Sequence, residues 1–473
     1  MFKIFNSPKF DSRIKSQDVT RKERWLGYFV GPGLIFTTNA CVMGFINNYY
    51  TDVAQVSYLW GGAFLVLMPI IANILDAFTN IFMGRLIDKT ATRQGKARPW
   101  ILLSAPLLVI SAILMYIIPK GSDAVKVIWI FFSYVLYDSV AYTIFNMSSL
   151  TTVPLSTTDT KQRDKLAMLY NVASNAVAGV FAAMLFPMVI MPILGIDQSK
   201  WLNCMIIISL ITLPASLIQY FYTRERVTEY AMEHEQVEVV PMKQQLKACM
   251  ATKEWRIIML FVIAHCIFSS MVITGRLYYA NWVVAGSYNE GSSVYSLLNI
   301  VGQSPLGFGI FLIWPLVSKI GKRKCLLFGA ILMTISGVLG MMGYDSFYVV
   351  MAAMFIGAIG GLANTYLTNA LISDSIDLVS QKNSVRVEGM TMAIYSFFGT
   401  VSAGIATGVL NLILAVGKYQ APVADADGIV RTVQTPQLKF MLACMVLGVL
   451  IIDGIIEIVL MLRYKEKQPE KAA

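Results

Sequence analysis

Charge is scarce in this chain. Of 473 residues, 14% are Asp, Glu, Lys or Arg and 56% are hydrophobic, a balance that excludes a soluble globule of this length. Histidine is scarcer still. His234 lies in a polar loop and His265 in an apolar run; neither offers a nucleophile–base pair or a metal cluster, so an enzyme is not expected. The six cysteines, Cys41, Cys204, Cys249, Cys266, Cys325 and Cys444, form no C-x-x-C pair and mostly sit in apolar runs. They imply neither a disulfide framework nor a metal site. The Walker A phosphate loop is missing, so ATP is not expected to drive anything. The first apolar run follows Lys15, Arg21, Lys22 and Arg24 but is too long for a signal h-region, and no small-residue cleavage pattern comes after it. It is expected to remain as a helix.

What the chain has instead is long hydrophobic runs. Twelve can be laid out, at 25–47, 59–84, 98–119, 124–151, 165–193, 201–222, 255–285, 293–318, 322–344, 346–372, 387–415 and 437–463. Each reaches the roughly 20 apolar residues needed to cross about 30 Å of hydrocarbon. With the N-terminus inside, about 31 of the 38 Lys and Arg fall in inside segments and about 5 in outside loops. Positive charge marks the cytoplasmic side. The net charge of +10 therefore reflects topology and requires no nucleic-acid partner. The expectation is a multi-pass protein of the inner or plasma membrane with both termini cytoplasmic. Tyr49, Tyr50, Trp100, Trp201 and Trp255 lie near span ends and read as an interfacial aromatic belt. The 26 methionines read as packing filler. Gly357, Gly360, Gly361, Gly399, Gly404 and Gly408 read as close helix contacts.

The longest polar stretch, 223–254, carries Arg224, Glu225, Arg226, Glu229, Glu233 and Glu235 and separates spans six and seven. The layout is then an N-terminal segment 1–24, a six-helix bundle 25–222, a central loop 223–254, a second six-helix bundle 255–463 and a tail 464–473. This 6+6 plan is that of transporters that rock two halves around a midplane site. An internal repeat supports it. Gly84-Arg85-Leu86-Ile87-Asp88 and Arg93-Gln94-Gly95-Lys96 lie between spans two and three. Lys319-Ile320-Gly321-Lys322-Arg323-Lys324 lies between spans eight and nine. Both are short basic turns with glycine, and the first resembles the loop signature of the major facilitator superfamily. In the second, Ser318 stands where the acid would be.

Three further segments narrow the resemblance. They are Tyr49-Tyr50-Thr51-Asp52-Val53; Asp76-Ala77-Phe78-Thr79-Asn80 leading to Arg93-Gln94-Gly95-Lys96-Ala97-Arg98-Pro99-Trp100; and Ser373-Asp374-Ser375-Ile376-Asp377 with Val385-Arg386-Val387-Glu388-Gly389. Together they resemble the glycoside–pentoside–hexuronide:cation symporter family (melibiose-permease-like) of the major facilitator superfamily, over residues 25 to 463. The resemblance implies an all-α membrane protein of twelve transmembrane helices in two six-helix bundles. It also implies secondary transport of a sugar or glycoside coupled to Na+, H+ or Li+.

The family's cation site uses acids in spans two and four with a lysine in span eleven nearby. Carried over, the first span-two acid is Asp76 and the second is Asn80. The span-four acid falls on Asn146, with Tyr142-Thr143 kept before it. The span-eleven lysine falls on Thr400, and an arginine of span five on Asn171. A sugar-facing acid of span one falls near Phe36, and the tryptophans of the melibiose-transporting member fall on Leu150 and Thr365. Losing acids and bases together keeps a buried site near neutrality, as the membrane demands. The cation-coupling set is thus Asp76, Asn80, Thr143 and Asn146. Hard cations bind carbonyl and hydroxyl oxygens, so weak Na+ binding remains open. A proton needs one titratable group, and proton-coupled or uncoupled transport ranks above Na+ coupling. No cofactor is expected beyond such an ion.

Asp76, Asp138, Asp453 and Glu457 lie within spans, as does Arg276, and such residues are functional candidates by default. Arg276 sits among Tyr278, Tyr279 and Trp282 and could hold a sugar carboxylate bidentately, snorkel to the interface, or pair with a span acid. Asp453 and Glu457 share a helix face four residues apart, where a structural or interhelical role is favoured. The substrate set is Asp76, Asn80, Asp138, Tyr142, Asn146, Asn171, Arg276, Thr365, Tyr366 and Thr400. The cytoplasmic gate set is Asp88, Arg93, Lys96, Arg98, Asp374, Asp377, Arg386 and Glu388, whose ion pairs would form and break between states. The expected partners are a small sugar-like substrate and the bilayer, with the protein a monomer. The rival readings are a carrier of a lipid or drug-like molecule, a Na+-coupled sugar symporter with a weakened cation site, and a non-transporting sensor. The sensor would need a larger cytoplasmic domain than 223–254 or the tail provides.

Overall fold

The computed structural model describes residues 7–90, 92–157, 159–227, 242–383, 387–424, 430 and 432–464. Arg386 lies outside the described residues, as do a few side chains within helices, those of Asp88 and Glu388 among them. The described chain is helical; its one β feature is an isolated antiparallel bridge between Ala424 and Val430.

Among the described residues, eleven helices are long and apolar enough to cross a membrane: α1 Glu23–Val53, α2 Leu59–Ile87, α3 Arg98–Met115, α4 Asp123–Leu155, α5 Lys161–Leu194, α6 Gln198–Phe221, α7 Lys253–Val284, α9 Lys322–Met342, α10 Phe347–Asn383, α11 Met390–Val416 and α12 Pro436–Arg463. At the place of the eighth expected span stands α8, Tyr288–Ile320, a helix of 33 residues. Their outward surface is apolar. Phe78, Phe82, Ile128, Ile193, Ile207 and Met342 are all exposed, a surface that hydrocarbon covers and water would not.

The helix ends follow ordinary rules. Asp197 starts α6 by accepting from the backbone N–H groups of Ser199 and Lys200 at 2.9 and 3.2 Å. Thr435 does the same for α12 through Leu438, satisfying donors that no helical carbonyl reaches. The two basic turns that repeat in the sequence share a backbone device. Gly95, before α3, has φ +105°, and Gly321, between α8 and α9, has φ +83°. Only glycine enters that region without strain, so each turn reverses the chain within a few residues. Several spans include π-helical stretches, among them Leu136–Tyr142 in α4 and Ala280–Val284 at the end of α7. Such stretches often accompany functional sites.

The chain folds as two compact units, Met1–Gln236 and Val237–Ala473. In the first, an aromatic cluster sits inside the bundle rather than at its rim. Tyr49, Tyr50, Tyr116 and Trp201 are fully buried. The Tyr49 hydroxyl donates to Tyr116 O at 2.7 Å, and the Tyr116 ring stacks on Trp201 at 6.4 Å. This corrects the belt expectation for Tyr49, Tyr50 and Trp201: their polar tips are satisfied by backbone, so the rings can be buried whole. Trp255, in the second unit, is likewise buried, with Nε1 donating to Thr391 Oγ1 at 3.0 Å. The second unit has two apolar cores, one around Phe261, Leu326 and Leu371, the other around Trp282, Leu298 and Leu442.

Candidate transport sites

In the first unit, α2 and α4 bring three of the four expected cation-coupling residues together. Asp76 Oδ1 accepts from the Thr143 hydroxyl, and Oδ2 accepts from Asn80 Nδ2 at 3.0 Å. Asn80 also donates to Asp76 O at 2.9 Å, which fixes its amide one helical turn along α2. The Thr143 hydroxyl lies 3.3 Å from Asp138 O, so the π-helical stretch of α4 helps to aim it. Among the described residues Asp76 has no Lys, Arg or His within ion-pair distance. Asn146, one turn beyond Thr143, is half-buried and stays outside the group. Asp138 is also half-buried, its side chain without a described hydrogen bond. Tyr142 packs near Phe145 with the rings tilted and their centroids 6.4 Å apart. Phe36 is buried between Phe145 and Tyr170, 5.6 Å from each. The position that would carry a sugar-facing acid is therefore part of an aromatic core. Asn171 is exposed.

Of the residues expected at a gate, Arg93, Lys96 and Arg98 lie in or beside the turn between α2 and α3, where Arg93 and Arg98 line a cavity of about 620 Å³. Arg93 pairs with Asp11 at 2.9 Å, and Gln94 donates to the same carboxylate at 2.7 Å. The Gln94 amide and the Arg93 charge hold Asp11 below the usual carboxylate range. The Arg93–Asp11 tie is thus present above the ordinary Asp range and lost as pH falls through the lowered value. The Glu225 carboxylate accepts from the backbone N–H groups of Lys96, Ala97 and Arg98 at 2.7, 2.9 and 2.8 Å. An anion there completes the start of α3. The buried Arg98 guanidinium donates to Tyr220 O at 2.8 and 3.1 Å and lies over the Tyr220 ring. Beyond it, Arg226 forms a buried pair with Glu23 at 2.8 Å and donates to Ser156 O. Sequence reasoning left Glu225 and Arg226 in a mixed-charge loop; both are built into the bundle end.

In the second unit, Lys322, next to Gly321, pairs with Asp374 at 2.6 Å, tying the second basic turn to the D-S-I-D run on α10. Asp377 is exposed. Asp88, Arg386 and Glu388 lie outside the described residues or have side chains outside them. Arg276 on α7 donates to Asn299 Oδ1 at 2.6 Å, while its Nε is buried without a partner. Among the described residues no carboxylate pairs with it. Arg276 and Thr365 line one cavity of about 280 Å³ with Gln303, His265 and Asp453. Thr365 is exposed to it and donates to Gly361 O. Tyr366 packs on the core near Phe261, and Thr400 is half-buried on α11.

The structure also assembles a group that sequence reasoning did not. His265 Nδ1 lies 3.0 Å from Glu457 Oε1 and 3.3 Å from Asp453 Oδ2. Asn364 on α10 donates to Glu457 Oε1 at 2.6 Å. The one available signal was a span histidine together with span acids four residues apart; the sequence does not say that α7, α10 and α12 bring them together.

The model of a family described as MFS/sugar transport protein matches residues 27–467. The chain belongs to that family. It is a membrane transporter and not an enzyme. The isoprimeverose transporter of Lactiplantibacillus pentosus is 27% identical over 392 residues, covering 80% of this chain and 77% of that one. The glucuronide carrier protein homolog of Escherichia coli K12 is 26% identical over 433 residues, covering 87% and 86%. A crystal structure of the nucleoside transporter NupG matches with a TM-score of 0.60 at 12% identity, over 94% of this chain and 98% of that one, a likeness of fold alone. A protein of Escherichia coli K12 named as a putative glycoside/cation symporter stands among the relatives, in line with the sequence resemblance.

Proposed function

We propose that this transporter moves a sugar or glycoside across the cytoplasmic membrane by alternating access, with both termini cytoplasmic and a proton carried at Asp76. The carrying observation is that Asp76, inside a span, has both carboxylate oxygens hydrogen-bonded by neutral groups, Thr143 and Asn80, and no described basic partner. An unpaired charge at that depth is expensive, by about 2.5–3.5 kcal/mol on insertion scales. Binding a proton removes the charge, whereas Na+ would find one carboxylate and weak neutral ligands.

The test is uptake of labelled sugars and glycosides into proteoliposomes under an imposed pH gradient or an imposed Na+ gradient. Accumulation driven by pH, abolished in Asp76→Asn while counterflow exchange survives, is the expected result. Accumulation driven by Na+ alone, or pH-driven accumulation unchanged by the substitution, would overturn the role of Asp76. Equilibration without accumulation would mark an uncoupled carrier.

A specific observation favours an acidic sugar within this class. The half-buried Arg276 has no described carboxylate partner and a buried, unsatisfied Nε, and it faces a cavity. A guanidinium so placed suits a sugar carboxylate or sulfonate, which it binds bidentately. Relatives named for a glucuronide and for sulfoquinovose support this reading.

A further inference from the structure

Four polar side chains meet inside the second unit, apart from the residues given roles above. His265 on α7 directs Nδ1 at both acids of α12, 3.0 Å from Glu457 Oε1 and 3.3 Å from Asp453 Oδ2. Asn364 on α10 donates to Glu457 Oε1 at 2.6 Å and lies 3.1 Å from the same Nδ1. Asp453 and Glu457 are 1% and 0% exposed. Asp453 Oδ1 and Glu457 Oε2 are buried with no partner.

The arrangement is a problem in proton placement. A bare Nδ1 lone pair aimed at two carboxylate oxygens sets acceptor against acceptor. At least one proton must therefore lie at the centre, on Nδ1 or on a carboxyl oxygen. With an imidazolium and two carboxylates the group carries −1, and with a neutral imidazole −2. One proton more than the imidazolium state brings it to zero, and an apolar interior favours that step. The two unpartnered oxygens are places for that proton, since a buried acceptor left unmade is costly.

Among the described residues the surroundings supply no compensating cation. From α9 comes Met333, which Asn364 touches, and from α8 the neutral Gln303 lines the adjoining cavity. On α7, Cys266 lies near Asp453, and Tyr395 of α11 lies near Cys266; both side chains are ordinarily neutral at pH 7. The permanent charge on the cavity wall is Arg276, which pairs with neither acid. His265 and Asp453 open onto that same cavity, beside Arg276 and Thr365.

We propose that His265, Asp453 and Glu457 form a second proton-binding site, distinct from Asp76, whose proton is taken up and released as the adjoining cavity fills and empties. The inference rests on the reading of the protein as a proton-driven sugar carrier. Three ligand atoms within 4.8 Å also suit a metal ion in number. However, the Asn364 amide turns a donor toward the same centre, where a metal ion would be repelled.

The experiment has two readouts on the full-length protein. Infrared difference spectra after a pH step read carboxylic acid bands directly. A titrating band present in wild type and in Asp76→Asn, but lost in Asp453→Asn or Glu457→Gln, is expected. In proteoliposomes, Asp453→Asn should lose at least tenfold in pH-driven accumulation while counterflow persists. If wild type shows no sugar counterflow, the sugar-carrier reading fails and the infrared band alone decides the site. If Asp453→Asn does not fold, Glu457→Gln and the wild-type band decide. No titrating band assignable to either acid would overturn the proposal. So would pH-driven accumulation unchanged in folded Asp453→Asn and Glu457→Gln. Thermal stabilisation of wild type, but not of the variants, by Zn2+ or Mn2+ would replace the proton with a metal.

Discussion

At the scale of single residues, an acid inside a span is held by neutral polar groups. Asn80 and Thr143 donate to the Asp76 carboxylate, and Phe36 packs in an aromatic core. Arg276 is the converse, a charge kept with no described opposite. Arg276→Gln is expected to lower transport of uronides or sulfonated sugars by about 10-fold or more, in keeping with about 1.5–3 kcal/mol for a hydrogen bond to a charged group. Neutral glycosides should be affected far less. Competition of each sugar class in counterflow checks this, and equal losses for both classes would make the arginine structural. Glu23 and Arg226 make a related point. Arg226→Ala leaves a buried carboxylate unpaired and should destabilise by about 3–5 kcal/mol, read as a lowered melting temperature in detergent. Glu23→Gln combined with Arg226→Gln should be milder. Neither partner was legible as buried, because 203 residues separate them and each sits in a segment whose composition reads as solvated.

At the scale of elements, the basic turn before α3 was legible as a motif, while its mechanics were not. The sequence shows Arg93-Gln94-Gly95-Lys96; it does not show that Glu225 returns to receive three backbone N–H groups of the following helix start. Gly95 is required twice there, by its positive φ and by the closeness of the Glu225 carboxylate, which any Cβ would strike. Gly95→Ala should therefore destabilise by at least about 1–2 kcal/mol, the scale of left-handed strain for an L residue. Thermal unfolding in detergent would show it, and an unchanged midpoint would mean that the turn relaxes freely. The same lesson holds in the second unit, where sequence separations of 99 and 188 residues hide His265 from Asn364 and Asp453. Helical periodicity puts Asp453 and Glu457 on one face but cannot name what that face meets.

At the scale of the whole molecule, class and family were legible because they rest on quantities that sum along the chain. Apolar length, the placement of lysine and arginine, and motif order survive ignorance of any one contact. Among the described residues, eleven apolar helices lie where hydropathy put spans, and α8 stands at the place of the twelfth. Orientation is the corresponding prediction. With about 31 of the 38 basic residues on one side, the positive-inside rule puts both termini and the α2–α3 and α8–α9 turns in the cytoplasm. The short link 195–197 between α5 and α6 then faces outward. Alkaline phosphatase fused after Leu194 should be active, and the same enzyme fused at the C-terminus inactive, with a fluorescent protein reporting the reverse. The opposite pattern would place the Arg93–Asp11 pair of the first unit and the Lys322–Asp374 pair of the second on the outer side, and the cytoplasmic role expected for these turns would fall.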